Sequence, residues 1–478
     1  MNKRLFLELC DEKDGVTGTN QLFEAFFSTT VSGAHGPTNN IPFLVDCGTF
    51  QGLDNDAQFN SSFFYDVTRP EFAILTHGHL DHYGRFPVAI NQGFLAPIFT
   101  THTTANFLTR VFLDDCLKIE ERRNKKADEN TSPLYSKEDI ASMKSMLVPC
   151  KYYEKVQYND NICIYFFDNG HLPGAAVTLV QITDGEDCIN VVLSGDYNDH
   201  NMFFPVNPLP NWVYKLPNVL ILLESTYGGT KTDSSCEPCL IENILYAIKK
   251  NMSVLIPTFA FGRHQEVLYT LKQAQDSGVL DRRIPIYADG KSAIATTEIF
   301  LEGKFNMFRS SKNFLPDNLI IVEDKVMRRQ IISDFITPKI IAASSGSASY
   351  GASQAYLNAH YTDPKYMVHS AGHLFPESKL GRMRDDPNAK ALFRGTGEFS
   401  AHARQEKLVN FVKPFDPKNV LGVGIHHGEE VSKELLANEL INEGYKTFIL
   451  NSNFKFRFNS SGLVGCFPRY DRKDKHIR

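Results

Sequence analysis

Thr76-His77-Gly78-His79-Leu80-Asp81-His82 is the stretch on which the reading of this chain turns. It follows directly on an apolar, strand-like run at 72–75 and sets three histidines and an aspartate within six residues. Imidazole and carboxylate are ligands for Zn2+ and similar divalent ions. A single catalytic zinc takes three protein ligands and keeps one position open, so four candidate ligands on one tight turn are too many for one ion. They can instead reach two ions about 3.5–4 Å apart. Such a site needs further ligands, and three candidates stand at the ends of later apolar runs: His171 after 162–167, Asp196 after 191–193 and His427 after 420–425. A carboxylate such as Asp196 can bridge two cations and hold their spacing. Asp46, at the end of the run 43–45, is placed to hold the far nitrogen of a metal-binding imidazole.

The chain has 478 residues, which at roughly 100–200 residues per domain suggests two to four domains. Hydrophobic residues make up 42% and charged residues 22%, a globular composition that excludes a mostly disordered, collagen-like or coiled-coil chain. The formal net charge is −5, so any nucleic-acid site must be a local patch. No run of about 18 apolar residues occurs, and no membrane-spanning helix is expected. The first apolar run ends at Asp11, too short for a signal-peptide core, and reads as a first strand. Nine cysteines without an export signal read as reduced thiols of a cytoplasmic protein. Cys236 and Cys239 form a Cys-x-x-Cys with no second pair nearby, so free thiols are expected there. Short β-branched runs alternate with helix-period stretches at 104–122, 237–250, 263–276 and 404–412, which predicts an α/β fold with both sheet faces covered. Composition shifts at 228–239 and 385–388 mark candidate domain edges.

Asp46, the motif His77-x-His79-x-Asp81-His82, His171 and Asp196 occur in the order of the metallo-β-lactamase superfamily. The continuation resembles its nucleic-acid-processing branch, the β-CASP group. Glu224-Ser225-Thr226-Tyr227-Gly228 is similar to that group's acidic first motif. Phe399-Ser400-Ala401-His402-Ala403 is similar to its second, and His427-Gly428-Glu429 to its third. Pro257 to Glu266, Ala343 to Gly346 and Leu380-Gly381-Arg382 also look like family stretches.

The resemblance implies an αββα metallo-β-lactamase sandwich, residues 1–228 and 388–478, with an α/β β-CASP domain inserted at 229–387. It implies two Zn2+, with Mn2+ as the alternative metal. His77, His79 and His171 would hold one ion, Asp81, His82 and His427 the other, and Asp196 would bridge. His426 is the competing ligand, but the Gly-Glu that follows favours His427. The cations would make hydroxide available near neutral pH for in-line attack on phosphorus. His402 would act as general acid, held and charged by Glu224.

A histidine in the third motif is found mostly in RNA-processing members, whereas DNA-repair members tend to carry valine. Single-stranded RNA is therefore the expected partner, cut in endo or 5′-exo mode. With little sequence before Asp46 or after His427, no separate RNA-binding module is expected at either end. The chain resembles the compact bacterial members more than ribonuclease J, and RNA would be held between the two domains. Candidate phosphate contacts are Arg263, Ser344, Ser345, Lys379 and Arg382. Dimers are common among the relatives, and a homodimer is one assembly the resemblance allows. Three departures bear on the substrate: Arg404 after His402-Ala403, the run Ser347 to Tyr350 after Gly346, and Gly372-His373 with Ser378-Lys379 before Leu380. None removes a metal ligand. The competing functions are a DNA nuclease, another ester hydrolase on the same metal site, and a non-catalytic RNA-binding scaffold.

Overall fold

Strand pairing begins at the N-terminus, where Leu5–Asp11 lies antiparallel to Gln21–Phe27 in an unbroken register from Leu5 opposite Phe27 to Asp11 opposite Gln21. The structure is a computed structural model that describes residues 5–12, 15–27, 30–31, 34–35, 39–51, 56–124, 133–231, 239–302, 314–371, 378–395, 399 and 401–469. The chain divides into two units. The first comprises Met1–Asn201, Pro205–Thr232 and Ala401–Arg478, and the second Met202–Phe204 and Asp233–Ser400.

The first unit holds two large sheets, besides the two-stranded pair Thr30–Val31 and Ala34–His35. One has eight strands, in the order Gly462–Pro468, Phe454–Asn459, Leu5–Asp11, Gln21–Phe27, Asn39–Val45, Phe72–Ile74, Ile98–Thr101 and Leu147–Cys150. The other has seven, in the order Thr447–Ile449, Val420–His426, Val219–Glu224, Asp187–Leu193, Ala176–Asp184, Ile162–Asp168 and Val156–Gln157. Between the sheets, Leu7, Leu9, Phe23, Phe43 and Phe72 meet Ile164, Phe166, Val180, Val191 and Leu222. Phe23, Phe43 and Phe72 stack in sequence, with ring centroids 5.0 and 4.8 Å apart. Each such buried side chain contributes about 1.5–3 kcal/mol.

Helices cover the outer faces. Leu408 and Val412 of Gln405–Val412, with Leu436 and Leu440 of Glu430–Asn442, pack on the seven-stranded sheet. His102–Phe107 packs on Ile98–Thr101 and Leu147–Cys150 of the other. The result is a helix–sheet–sheet–helix sandwich. The helix-period stretch at 104–122 is not one regular helix: a π-helical turn, Leu108–Phe112, separates His102–Phe107 from Leu113–Asn124. Thr109 Oγ1 donates to the carbonyls of Ala105 and Asn106 there, so a side chain competes for backbone acceptors.

The second unit is built on six parallel strands, in the order Leu319–Ile321, Ile286–Asp289, Ile340–Ala343, Ser253–Pro257, Tyr366–Ser370 and Leu392–Gly395. Its two central strands, Ile340–Ala343 and Ser253–Pro257, are buried throughout because both faces are covered. Leu240, Ile244, Val267 and Leu271 pack on one face, and Ala352, Tyr356 and Leu357 on the other. Among the described residues, no helix is long and apolar enough to cross a membrane.

Strand direction is what gathers the candidate residues. Ile162–Asp168 and Asp187–Leu193 both run antiparallel to Ala176–Asp184, so they share a direction. Val219–Glu224 and Val420–His426 are parallel to Asp187–Leu193 and to each other. The four strands leading to His171, Asp196, Glu224 and His427 therefore end at one edge of their sheet. In the other sheet, Asn39–Val45 and Phe72–Ile74 are parallel, so Asp46 and His77 leave from one edge too.

The backbone after Asp46 lies directly on the histidine turn. Cys47 N–H donates to His82 O (2.7 Å), and Gly48 N–H donates to Thr19 O (2.9 Å). A Cβ on Gly48 would stand 1.5 Å from the Asp81 carbonyl oxygen, so no side chain fits. Gly48→Ala is expected to lower the thermal midpoint of the first unit, at or above the cost of about 1–3 kcal/mol typical of overpacking. Gly395→Ala, where the nearest atom is 3.8 Å away, should melt like the unaltered chain. Equal melting curves for the two variants would refute this account of the turn.

Candidate metal centre

The histidine turn is built from behind by Asp46. This residue sits at φ 59°, an uncommon conformation for a residue with a side chain. Its Oδ1 accepts from Thr76 N–H and its Oδ2 from Thr76 Oγ1, both at 2.8 Å. The same Oδ2 lies 2.7 Å from His82 Nδ1. His79 precedes, and Asp81 and His82 occupy, the single helical turn Leu80–Tyr83.

The structure brings His77, His79, His171 and Asp196 together, each offering one donor atom within 4.8 Å of the others. Asp81, His82 and His427 form a second such group, and Asp196, His402 and His427 a third. Asp196 turns one oxygen to each side. Its Oδ2 lies 3.5 Å from His77 Nε2 and 3.5 Å from His171 Nε2. Its Oδ1 lies 3.2 Å from His82 Nε2. His427 Nε2 stands 3.7 Å from Asp81 Oδ2. His426, one residue earlier, joins none of these groups, and its carbonyl accepts from Ser225 Oγ (2.8 Å).

Nε2 of His77, His82 and His427 and Oδ1 of Asp196 are buried without a hydrogen-bond partner. Each such atom costs about 1–3 kcal/mol unless something else satisfies it. Imidazole nitrogens and carboxylate oxygens converging in this way fit divalent cations of the zinc and manganese type.

The far nitrogens are held. His77 Nδ1 lies 3.1 Å from Thr76 Oγ1, His171 Nδ1 3.0 Å from Ala401 O, and His427 Nδ1 3.1 Å from Thr226 Oγ1. With the proton assigned to Nδ1 in each, Nε2 keeps its lone pair inward. Asn169 ties two ligand loops together: Nδ2 donates to Ser194 O and Asp196 O, and Oδ1 accepts from His171 N–H. Sequence reasoning passed over Asn169, the Ala401 carbonyl and the Thr226 hydroxyl as supports. Asn169 stands two residues before the candidate ligand His171 and Thr226 two after Glu224, the one signal that marked the two side chains.

Burial and then the neighbouring imidazoles hold His77 and His171 well below the usual histidine range. Burial takes His79 down to about 4. These rings are neutral, the form that gives a lone pair to a cation. At His82, burial is outweighed by the carboxylates of Asp196 and Asp46, which push it up. At Asp196, burial is outweighed by His427, His82, His402 and His77, which hold the carboxylate ionised.

Glu224 ends the strand Val219–Glu224 fully buried. It accepts from Tyr197 N–H (2.6 Å), Thr226 N–H (3.1 Å) and His402 Nδ1 (2.8 Å). Burial works against protonation of His402, but Glu224, Asp196 and Asp81 outweigh it and push the ring up to about 9. His402 Nε2 faces Asp196 Oδ2 at 3.7 Å.

The candidate phosphate contacts all lie in the second unit. Arg263 is buried, pairs with Glu266 (2.5 Å) and lies over the Phe399 ring. Ser345 Oγ donates to Tyr350 O (3.1 Å), and Ser344 N–H donates to Asp289 O (3.0 Å). Lys379 and Arg382 sit on the helix Lys379–Arg384, Lys379 half-buried and Arg382 exposed. Cys239 is a free thiol at the start of Leu240–Lys249. Cys236, Gly372-His373 and Ser400 lie outside the described residues.

The fold and this donor set define a metallo-hydrolase of the metallo-β-lactamase type. Residues 264–378 match the Beta-Casp domain, and residues 391–450 the Zn-dependent metallo-hydrolase RNA specificity domain. The chain is 30% identical over 419 residues to the protein named ribonuclease TTHA0252 of Thermus thermophilus, covering 82% of this chain and 89% of that one. It is 27% identical to "Probable RNase MJ4" of Methanocaldococcus jannaschii (85% and 92% covered) and 28% identical to Integrator complex subunit 11 of Danio rerio (84% and 67%). The chain belongs to the β-CASP family of the metallo-β-lactamase superfamily.

Asp46→Asn replaces an acceptor that serves both His82 and Thr76. It is expected to weaken metal binding about 10–100-fold, as loss of a partner behind a ligand does. Zinc titration against a chromophoric chelator reads the change. Unaltered affinity would remove Asp46 from the site.

Proposed function

We propose that this chain is a two-zinc-dependent ribonuclease that hydrolyses phosphodiester bonds of single-stranded RNA, with Mn2+ as an alternative metal. The observation that carries the reading is the division of the donor set about Asp196, one oxygen toward each group of ligands. The RNA half of the reading is supported by the match to an RNA specificity domain and by relatives named as ribonucleases.

His77, His79 and His171 would hold one ion and Asp81, His82 and His427 the other, with Asp196 shared between them. Bound there, divalent cations supply hydroxide near neutral pH and offset the charge that builds on the phosphate. The chain's own part begins with Glu224, which fixes His402 through Nδ1. That leaves Nε2, on the side facing Asp196, to carry a proton to the departing 3′ oxygen. Among the proposed phosphate contacts, Arg382 is exposed and Lys379 and Ser344 are half-buried. Arg263, already paired with Glu266, serves by holding the start of its helix.

The experiment is cleavage of a 5′-labelled single-stranded RNA and its DNA counterpart by the full chain with Zn2+ or Mn2+. RNA is expected to be cut, and Asp81→Ala to abolish cutting. His402→Ala should lower kcat by about 10²–10⁴-fold while still binding two metals. Preferential cutting of DNA would make the chain a DNA nuclease. An uncut pair of strands with two metals bound would sink the ribonuclease reading in favour of a different ester or a scaffold.

A further inference from the structure

We infer that Thr226 is a positioning residue that ties the Glu224–His402 pair to His427, by holding the Nδ1 proton of His427 on its own hydroxyl and away from Asp196 while Nε2 faces Asp81. The inference deepens the two-metal reading and rests on it.

Thr226 acts through two separate groups. Its backbone N–H donates to Glu224 Oε2 (3.1 Å), on the carboxylate that holds His402. Its Oγ1 lies 3.3 Å from the His427 carbonyl oxygen and 3.1 Å from His427 Nδ1. A hydroxyl has one proton and two lone pairs. With the proton given to the carbonyl, a lone pair faces the ring, and the ring atom opposite must be an N–H. Nδ1 then carries the proton, and the lone pair of His427 is left on Nε2. That atom is buried, has no hydrogen-bond partner and faces Asp81 Oδ2 at 3.7 Å.

The alternative is close at hand. His427 Nδ1 also lies 3.4 Å from Asp196 Oδ1. Without the hydroxyl, the Nδ1 proton turns to that oxygen and engages a lone pair on the carboxylate shared by both groups. Backbone geometry adds to the need for a fixed support. His427 sits at φ 49°, and Ser225 N–H donates to its carbonyl (3.1 Å), so the ring is presented from a left-handed turn.

The same device recurs across the site. Thr76 Oγ1 donates to Asp46 Oδ2 (2.8 Å) and faces His77 Nδ1 at 3.1 Å. One threonine hydroxyl thus orients an imidazole on each side of Asp196.

The test compares Thr226→Val, which keeps the backbone N–H and the side-chain shape, with Thr226→Ser, which keeps the hydroxyl. Stepwise zinc affinities of the full chain are read against a chromophoric chelator, and the Co2+-substituted protein supplies a visible spectrum. Thr226→Val is expected to weaken one of the two sites about 10–100-fold, leave the other unchanged and alter the Co2+ spectrum. Thr226→Ser should restore both. If valine does not fold in place of threonine, Thr226→Ala against Thr226→Ser decides by the same titration. Two unaltered affinities in the folded valine or alanine variant, or an equal loss at both sites, overturn the role of Thr226 and leave the two-metal reading standing. Uptake of fewer than two zinc ions by the unaltered chain overturns both.

Discussion

The placement of one buried carboxylate, Asp196, is the constraint on which the rest depends. It stands among the rings of His77, His82, His171, His402 and His427. Burial favours its neutral form, and the surrounding imidazoles reverse that preference. The imidazoles face the converse problem. Crowded and buried, His77 and His171 are held neutral, and the inward nitrogens of His77, His82 and His427 have no hydrogen-bond partner. A core of this kind is costly to build from protein alone. Its polarity is concentrated at one place, and the lone pairs and negative charge point the same way, which is what a divalent cation requires.

Directionality in the sheets solves the assembly problem. Residues from position 46 to position 427 must reach one place, and the parallel members of two sheets deliver them at strand ends. Strand ends alone would leave the rings free to turn. The structure therefore adds a partner behind each of several rings: the Asp46 carboxylate, the Thr76 and Thr226 hydroxyls and the Ala401 carbonyl. Two positions, Asp46 and His427, also hold left-handed backbone, a local cost that the neighbouring hydrogen bonds sustain.

Much of this was legible in the sequence for a local reason. Four candidate ligands fall within residues 77–82, and the others directly follow apolar runs, which made His171, Asp196 and His427 candidates, while the order of the family motifs singled them out and preferred His427 to His426. The supports were harder to see. Ala401 acts through its carbonyl, which any residue type carries, and Asn169 is one of many asparagines in loops. The break in the helix-period stretch at 104–122 is carried by a backbone-bonded threonine that leaves no mark in the hydrophobic pattern. Arg263 reads from the sequence as a candidate phosphate contact, and its partner in the structure is Glu266 three residues on, a spacing at which helical side chains meet.

The division of the chain bears on the Glu224–His402 pair in a way no motif conveys. The first unit is left at Thr232 and resumed at Ala401, so Glu224 lies just before the exit and His402 just after the return. Within the first unit the two ends are fastened together. Tyr227 bridges to Arg404, Gln405 N–H donates to Thr230 O (3.2 Å), and Gln405 Nε2 donates to Gly228 O (2.7 Å). A loop as long as residues 233–400 would carry a substantial closure entropy if it were flexible, whereas a folded insert with its ends joined carries far less. The clamp at Gln405 therefore keeps the imidazole of His402 within hydrogen-bond reach of Glu224 despite 178 residues of separation. It also places the Ala401 carbonyl behind His171, so one short return segment both holds His402 beside Glu224 and supports the His171 ring.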